Sequence, residues 1–316
     1  MNIAAPSSFE RINRAFGRVF TPGRLTLGLV VPLESYPSGP VPTMEHHVER
    51  ARLAESLGFS ALWLRDVPFN VPAFGDAGQT FDPFAYLGFL AAKTSSIGLG
   101  VASVVLPLRH PAHVAKASAT VDALSGGRLL LGIASGDRPE EYPALGLNYA
   151  QRGARFRESY DYLRAVTRGD AHRSSYGQLD GTIELLPKPS GKKLPLLITG
   201  GSQQTPEWIA ERGDGWMVYP RPPADQAARI GAWRRRSPRP KPAMQPLYVD
   251  LLESPTAPPV PIHLGFRIGT QRLSEYLELL QAAGVNHVAL NLRFNRLDFE
   301  TTLKRLADEV LPSFET

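Results

Sequence analysis

The residues of this chain with the clearest capacity for chemistry lie together near position 200. Residues 194–199 have the apolar character of a buried strand, and they run directly into Gly200, Gly201 and Ser202. A helical pattern opens at the next residue. Paired glycines between a buried strand and a helix leave several backbone N–H groups exposed at the positive end of the helix dipole, and the hydroxyls of Ser202 and Thr205 can add donors. This stretch predicts a site for an anion such as a phosphate group.

A second interpretation of the same stretch is purely structural. The segment would then be an ordinary strand-to-helix turn, in which Ser202 is the N-cap of the helix and Pro206 lies in the first turn. Short glycine motifs often have no more meaning than this. The elements around the stretch must decide between the two interpretations.

The size and composition of the chain are compatible with one large α/β domain. With 316 residues, of which 43% are hydrophobic, the chain is long enough for one (β/α)₈ barrel, and we predict a single domain over residues 1–316. The absence of cysteine excludes disulfides, thiolate zinc sites and cysteine nucleophiles, and it fits a reducing cytoplasm. Neither a signal peptide nor a membrane span is evident, so we expect a cytoplasmic protein.

Charge and histidine spacing argue against nucleic acid and metal. The 35 basic and 30 acidic residues leave a net charge of only +5. The one dense basic run, residues 234–241, lies among prolines without stacking aromatics, so we interpret it as a solvated helix end. His110 and His113 are three residues apart, but no carboxylate or cysteine stands at metal-site spacing beside them, so no metal is predicted.

Eight apolar runs of strand length alternate with helical patterns along the chain. These predicted strands are residues 25–31, 60–64, 97–106, 128–134, 194–199, 215–219, 246–252 and 285–292. Their continuous rather than alternating apolar pattern is typical of a parallel sheet that helices cover. Eight such units predict a closed (β/α)₈ TIM barrel, with an open doubly wound sheet as the alternative. Within an extension, residues 1–23, an apolar helical spacing predicts a short leading helix.

Several local features are also predicted from residue type. Thr43 should cap the first barrel helix, and the Asp180–Gly181 pair is a hairpin signal within a small excursion. Asp122 and Arg128 are expected to form a structural ion pair across the loop between them.

Charged residues at strand ends mark the expected active-site mouth, because barrel enzymes place their chemistry at the carboxyl ends of the strands. Arg65 and Asp66 end the second predicted strand, and a buried charge there needs a partner or a purpose. We favour Asp66 as the one that faces the site. Arg293, at the end of the eighth strand, is a further candidate for binding a substrate anion or the edge of a bound ring.

Four segments together resemble one known family. They are residues 58–66 (GFSALWLRD), 97–100 (IGLG), 106–111 (LPLRHP) and 124–132 (LSGGRLLLG). In order and spacing, over roughly residues 24–312, they are similar to the bacterial luciferase-like, flavin-dependent monooxygenases. The resemblance implies a (β/α)₈ barrel with an excursion near strand 7. It also implies reduced FMN supplied by a separate flavin reductase, or the deazaflavin F420, and a homodimer.

The resemblance assigns roles to individual positions. The residues that would contact the cofactor are Ala102, Ser103, Ser135, Gly200, Gly201, Ser202 and Thr205. The last four would hold the flavin phosphate, and Ala102–Ser103 falls where luciferase has a non-proline cis peptide under the flavin ring. Asp66 matches an acidic residue at the end of strand 2. One departure matters: Val67 stands where luciferase has its catalytic histidine, so aldehyde-dependent light emission is not expected.

The sequence therefore predicts an FMN-dependent monooxygenase that oxygenates a small organic substrate. An F420-dependent reductase or dehydrogenase on the same barrel is one alternative, and a flavin-binding protein without catalysis is another. Asp66 and Arg293 are the predicted catalytic residues. No partner other than the substrate, the reductase and a second copy of the chain is expected, and neither nucleic acid nor membrane is among them.

Overall fold

The computed structural model describes residues 8–314. Its helices are α1 Arg14–Val19, α2 His47–Ser56, α3 Pro83–Lys93, α4 Pro111–Leu124, α5 Glu141–Ala144, α6 Arg152–Arg168, α7 Pro206–Arg212, α8 Pro223–Arg236, α9 Thr270–Ala282 and α10 Phe299–Glu309. Its strands are β1 Thr26–Val30, β2 Ala61–Leu64, β3 Gly98–Val105, β4 Leu129–Ala134, β5 His172–Ser174, β6 Gly177–Leu179, β7 Leu196–Thr199, β8 Gly215–Met217, β9 Ala243–Leu251, β10 Val260–Ile262, β11 Gly265–Ile268 and β12 His287–Asn291.

Eight of these strands close into a parallel barrel. The order around the barrel is β1, β2, β3, β4, β7, β8, β9 and β12, and β12 pairs with β1 to complete the ring. Every barrel pairing is parallel, with Thr26 opposite His287 at the closure. The predicted (β/α)₈ TIM barrel is thus confirmed, and the open doubly wound alternative is wrong because the sheet has no free edge within the ring.

The predicted excursion follows the seventh barrel strand, β9. There β10 and β11 form an antiparallel hairpin, and β11 also pairs in parallel with the second half of β9. The two backbones approach so closely that a Cβ on Gly265 would lie 1.8 Å from the carbonyl oxygen of Tyr248. Only glycine fits at this contact.

Helix α1 closes the amino end of the barrel, as the apolar spacing in the extension predicted. Phe16, Val19 and Phe20 pack in one buried cluster with barrel residues such as Trp63. Asn13, the N-cap, fixes the helix by donating from Nδ2 to the carbonyl of Leu129 at 2.8 Å. Because α1 fills this end of the barrel interior, a ligand reaches the interior from the opposite, carboxyl end.

The barrel interior holds a buried histidine in its neutral form. Trp63 Nε1 donates to His287 Nε2 at 2.8 Å, and His287 Nδ1 lies 2.7 Å from the hydroxyl of Thr26. Burial lowers the pKa of His287 to about 3. A Cβ on Gly28 would lie 2.8 Å from the imidazole, so glycine there makes room for the ring. His287 therefore packs the interior.

Three local predictions are wrong. Helix α2 begins four residues after Thr43, whose hydroxyl donates to Glu34 instead, and the N-cap is His46 in a left-handed conformation. The predicted turn at Asp180–Gly181 is also not where the chain reverses. The hairpin there joins β5 and β6, and its turn comes before Asp180, because the Glu158 carboxylate accepts hydrogen bonds from Ser175 in that turn.

The expected ion pair between Asp122 and Arg128 also does not form. Asp122 accepts hydrogen bonds from Asn13 and from the backbone of Ser190. The guanidinium of Arg128 donates to backbone carbonyls, such as that of Ile97, and to the Thr94 hydroxyl. Both residues are structural, but they bind different parts of the fold.

Within residues 8–314, the structure contains no helix with the length and apolar character to cross a membrane.

Candidate active site

The carboxyl ends of the barrel strands form the mouth at which the predicted site residues meet. Ala102 and Ser103 lie in the second half of β3, and the other residues follow the ends of β2, β4, β7 and β12; these are Asp66, Ser135, Gly200, Gly201, Ser202, Thr205 and Arg293. Because the barrel strands are parallel, all of these positions belong to the same end of the barrel. The arrangement is that of a barrel active site.

The floor of the mouth contains an irregularity in β3. The strand is buried except at Ala102 and Ser103, and its register with β4 shifts between Val101 and Val104. The Ala102–Ser103 peptide bond is cis, as the resemblance implied. Irregularities of this kind re-aim side chains next to active sites.

A contact across the barrel fixes the Ser103 side chain. Its hydroxyl hydrogen-bonds with the hydroxyl of Thr199, and Thr199 Oγ1 lies 3.3 Å from the sulfur of Met217. The three residues come from β3, β7 and β8, with β4 between the first two. A Cβ on Gly132 of β4 would lie 2.5 Å from that sulfur, so a glycine at this position lets the contact form. Ser103, Thr199 and Met217 thus form a continuous floor, of which the sequence indicated only Ser103.

The turn after β7 differs from the predicted one. Gly200, Ser202 and Gln203 have φ of 55°, 42° and 59°, so the chain is left-handed where a helix was expected to open. Right-handed helix cannot begin there. Helix α7 starts at Pro206 instead, and its N-cap is Thr205, whose hydroxyl accepts from the Trp208 N–H at 3.2 Å. Ser202 is therefore not the N-cap.

This turn nevertheless contains backbone donors that are not used within the protein. Within residues 8–314, the N–H groups of Gly201, Ser202 and Gln203 have no hydrogen-bond acceptor. A Cβ on Gly201 would meet no atom within 4 Å, so the space in front of it is open. Successive N–H groups in left-handed turns make concave anion sites. The geometry supports an anion site built from amides.

The hydroxyl of Ser202 is already used within the turn. It donates to the carbonyl of Thr199 at 2.7 Å, and the side chain is buried. It can accept a hydrogen bond from a ligand but has no second proton to donate. Ser135, at the end of β4, is buried as well, and its carbonyl accepts the hydroxyl of Tyr142.

Asp66 is bound on both carboxylate oxygens. The guanidinium of Arg109 donates to Oδ1 at 2.7 Å and to Oδ2 at 3.0 Å, and the N–H of Val105 donates to Oδ2 at 3.1 Å. The side chain of Asp66 is 1% exposed. Its role as a catalytic residue stays a prediction, and these contacts support a positioning role. The next residue, Val67, brings no titratable group to the end of β2.

Arg293 fastens two loops over the mouth. Its Nη1 lies 3.0 Å from the carboxylate of Asp76, and its Nη2 donates to the carbonyls of Gly75 at 2.9 Å and Gly39 at 3.3 Å. Gly39 belongs to the loop after β1, and Gly75 and Asp76 to the loop after β2. Whether Arg293 also binds substrate stays a prediction.

Asp76 is the centre of this cluster, and sequence reasoning missed it. Its carboxylate also accepts from Arg65 at 2.5 Å, from the Tyr36 hydroxyl at 3.1 Å and from the Gly78 N–H at 2.9 Å. A lone aspartate in a loop of proline, glycine and aromatic residues carries no sequence signal for such a role. Burial, and secondly Asp76, raise the pKa of Tyr36.

A second buried acid lies beneath the same loop. Glu141 Oε1 is 3.7 Å from Nη1 of Arg138, whose guanidinium stacks over the Phe74 ring at 4.1 Å. Burial raises the pKa of Glu141 to about 7, and the Arg138 charge opposes that rise. Glu141 is therefore a candidate proton donor or acceptor, and the sequence did not single it out.

Comparisons with known sequences agree on one family. Residues 20–249 match the family model described as luciferase-like monooxygenase. An uncharacterised protein of Mycobacterium tuberculosis is 34% identical over 188 residues, which cover 54% of this chain and 66% of that protein. The F420-dependent glucose-6-phosphate dehydrogenase of Amycolatopsis mediterranei is 28% identical over 177 residues, or 54% of this chain and 52% of that enzyme. The chain thus matches at most about two thirds of the length of these relatives.

Solved structures share the whole barrel. An F420-dependent secondary alcohol dehydrogenase superposes with a TM-score of 0.74 at 17% identity, covering 93% of this chain and all of that one. The oxygenating constituent of 3,6-diketocamphane monooxygenase from Pseudomonas putida, in complex with FMN, has a TM-score of 0.72 at 15% identity and covers 92% and 99%. With the match over residues 20–249, the chain belongs to the luciferase-like monooxygenase family of oxidoreductases.

Proposed function

We propose that this protein binds reduced FMN at the barrel mouth and oxygenates a small organic substrate with O₂. The observation that carries the proposal is the turn after β7. Among residues 8–314, the N–H groups of Gly201, Ser202 and Gln203 have no acceptor, and the space at the Cβ position of Gly201 is open. A phosphate group is the cofactor part that fits such a site.

The residues of the mouth fit the remainder of the cofactor. Ala102 and Ser103 interrupt the buried surface of β3, and the hydroxyl pair of Ser103 and Thr199 adds polar atoms to an otherwise apolar floor. Such a floor can support a flat ring and hydrogen-bond to its edge. Reduced FMN, when bound, supplies the electrons and the reaction with O₂. The chain holds the ring, shapes the substrate space and excludes water.

The end of β2 favours oxygenation over chemistry that needs an acid or base there. Both oxygens of Asp66 are engaged by Arg109 and Val105, and Val67 follows. The loop after β2 is tied down over the mouth through Asp76 and Arg293. A covered mouth, with no free acid at the end of β2, suits a reaction in which the cofactor itself performs the redox step.

An F420-dependent reductase or dehydrogenase is the second candidate. The A. mediterranei relative, 28% identical, uses F420. Hydride transfer to or from a carbonyl carbon also needs a group that takes or gives a proton at the oxygen. Glu141 is such a group, because burial raises its pKa to about 7.

Binding and turnover together test the proposal. FMN, reduced FMN and F420 are titrated anaerobically against the full chain, and oxygen consumption is followed with a flavin reductase and a panel of small ketones, alkanes and aromatic substrates. Tightest binding of reduced FMN, with substrate-dependent oxygen consumption, is expected. Preferential binding of F420 with hydride transfer would establish the second candidate, and flavin binding without turnover on any substrate would indicate a non-catalytic carrier. We also propose a homodimer and a separate reductase as partner, on the family resemblance.

A further inference from the structure

A second cavity lies at the amino end of the barrel, opposite the mouth. It has a volume of about 190 Å³ and lies between the segment before α1, the end of α7 and the start of β9. We call it the basal cavity. Its charged lining residues are Glu10, Arg164, Arg168, Lys193, Glu211, Arg212, Asp214, Arg239 and Lys241. Six of these are cationic and three are acidic.

Two carboxylates are shared among three of the cations. Asp214 lies 2.6 Å from both Arg164 and Lys193, and Glu10 lies 3.0 Å from Lys193 and 3.1 Å from Arg239. Each carboxylate is thus bound by two cations. Arg168 and Arg212 pair with two aspartates outside the cavity, Asp170 and Asp161, at 3.7 Å each. Five of the six cavity cations therefore have a carboxylate partner.

The sixth cavity cation, Lys241, is buried. The residue is 6% exposed, and its Nζ donates to the carbonyls of Ala210 at 2.5 Å and Glu211 at 2.9 Å. Within residues 8–314, no carboxylate lies within 4 Å of it. An ammonium group has three protons, so one remains for a ligand.

The environment of Lys241 confirms that its charge is disfavoured. Burial, helped by the charges of Arg239 and Lys193, lowers its pKa to about 8, and the charge of Asp214 only partly opposes that lowering. A buried charge without a counterion is costly. An anion in the cavity would relieve that cost and would also face the guanidinium of Arg239.

We propose that the basal cavity binds a small inorganic oxyanion of the size of phosphate, held by Lys241 and Arg239. The cavity has room for such an ion with a few waters, since one water needs only about 10–15 Å³ of probe-occupied volume. Guanidinium and ammonium groups are the usual partners of phosphate oxygens. The site is independent of the proposed cofactor, because it lies at the other end of the barrel.

Calorimetric titration of the full, cofactor-free chain with inorganic phosphate tests the proposal. Ionic strength is held constant with sodium chloride. Arg239→Gln removes a cavity cation whose side chain is 60% exposed, so the fold should persist. We expect Arg239→Gln to lower the affinity for phosphate about tenfold, because one charge-assisted hydrogen bond is lost. Lys241→Met should lower the affinity more. Arg236→Gln is the matched control, because Arg236 pairs with Glu207 outside the cavity; its effect should stay below about twofold.

The mouth could bind phosphate too, so a third variant separates the two ends. Gly201→Val should remove binding at the turn after β7 and leave the basal binding, with its Arg239 dependence, intact. Melting curves check that each variant is folded. The proposal is overturned if no saturable binding is seen. It is also overturned if the only binding is lost in Gly201→Val, or if Arg239→Gln and Arg236→Gln behave alike.

Discussion

The guanidinium of Arg109 donates two hydrogen bonds to the carboxylate of Asp66, at 2.7 Å and 3.0 Å. The same guanidinium donates to Asp82, the N-cap of α3, at 2.8 Å. Asp66 therefore links the end of β2 to the loop after β3 and to the start of α3. This pairing explains how a charge can be buried at the end of a barrel strand, and it supports a positioning role for Asp66.

Asp66→Asn tests the positioning role. Removing one member of a buried pair should lower the free energy of unfolding by about 3 kcal/mol. In a cycle with Arg109→Gln, the coupling energy from urea unfolding should be about 1–3 kcal/mol. Turnover per flavin-loaded molecule should change little. A coupling energy of zero, together with lost turnover at full flavin occupancy, would instead support a catalytic role for Asp66.

Arg293→Met should loosen the loop after β2. The variant loses the ion pair with Asp76 and the hydrogen bond to the Gly75 carbonyl, which hold this loop to the end of β12. Hydrogen exchange of the amides of residues 75–78 should be about tenfold faster, because the free energy of local opening falls. Arg296→Met is the control, since Arg296 binds Asp250 instead. Equal exchange in both variants would show that Arg293 does not hold the loop.

His287 should make the protein less stable in acid. Burial keeps its pKa at about 3, whereas the unfolded chain takes up the proton near pH 6.5. Stability is therefore fully present above about pH 6.5 and falls toward pH 3, by up to about 1.4 kcal/mol per pH unit from this group. His287→Gln keeps an acceptor for Trp63 but cannot titrate. Urea unfolding between pH 4 and 7 gives the free energy of unfolding as a function of pH. This pH dependence should be smaller in His287→Gln than in the wild type, by about one bound proton. The same pH dependence in both proteins would count against the assignment.

Ser202→Gly separates the hydroxyl of the turn from its backbone. Glycine tolerates the left-handed conformation at φ 42°, and the change removes only the bond to the Thr199 carbonyl. FMN affinity, measured by flavin fluorescence, should fall by less than about tenfold, because the Ser202 hydroxyl already donates to Thr199 and has no proton left to donate to the phosphate. A hundredfold loss would make the hydroxyl a principal phosphate ligand.

The barrel was predictable from sequence because continuous apolar runs report burial on both faces of a strand. The leading helix followed from helical apolar spacing, whereas the excursion after β9 and several positions at the mouth, such as Ala102 and Ser103, were implied by the family resemblance. Turn geometry was less accessible, since His46, Ser202 and Gln203 adopt left-handed conformations that glycine usually marks. The partnership of Asp76 with Arg293 was not predictable, because only barrel closure brings these two loops together.

The most direct test compares FMN with riboflavin on Gly201→Val. The valine has room and a tolerated backbone conformation, so the protein should fold, and its side chain would occupy the open space at the turn that carries the three free amides. Gly88→Val, on the surface of α3 where a Cβ also meets nothing within 4 Å, is the control. We predict that FMN binds Gly201→Val at least about 100-fold more weakly, since hydrogen bonds to a charged group contribute about 1.5–3 kcal/mol each, while riboflavin binds both proteins within about threefold. Equal losses for FMN and riboflavin, or no loss for either, would contradict a phosphate site at this turn.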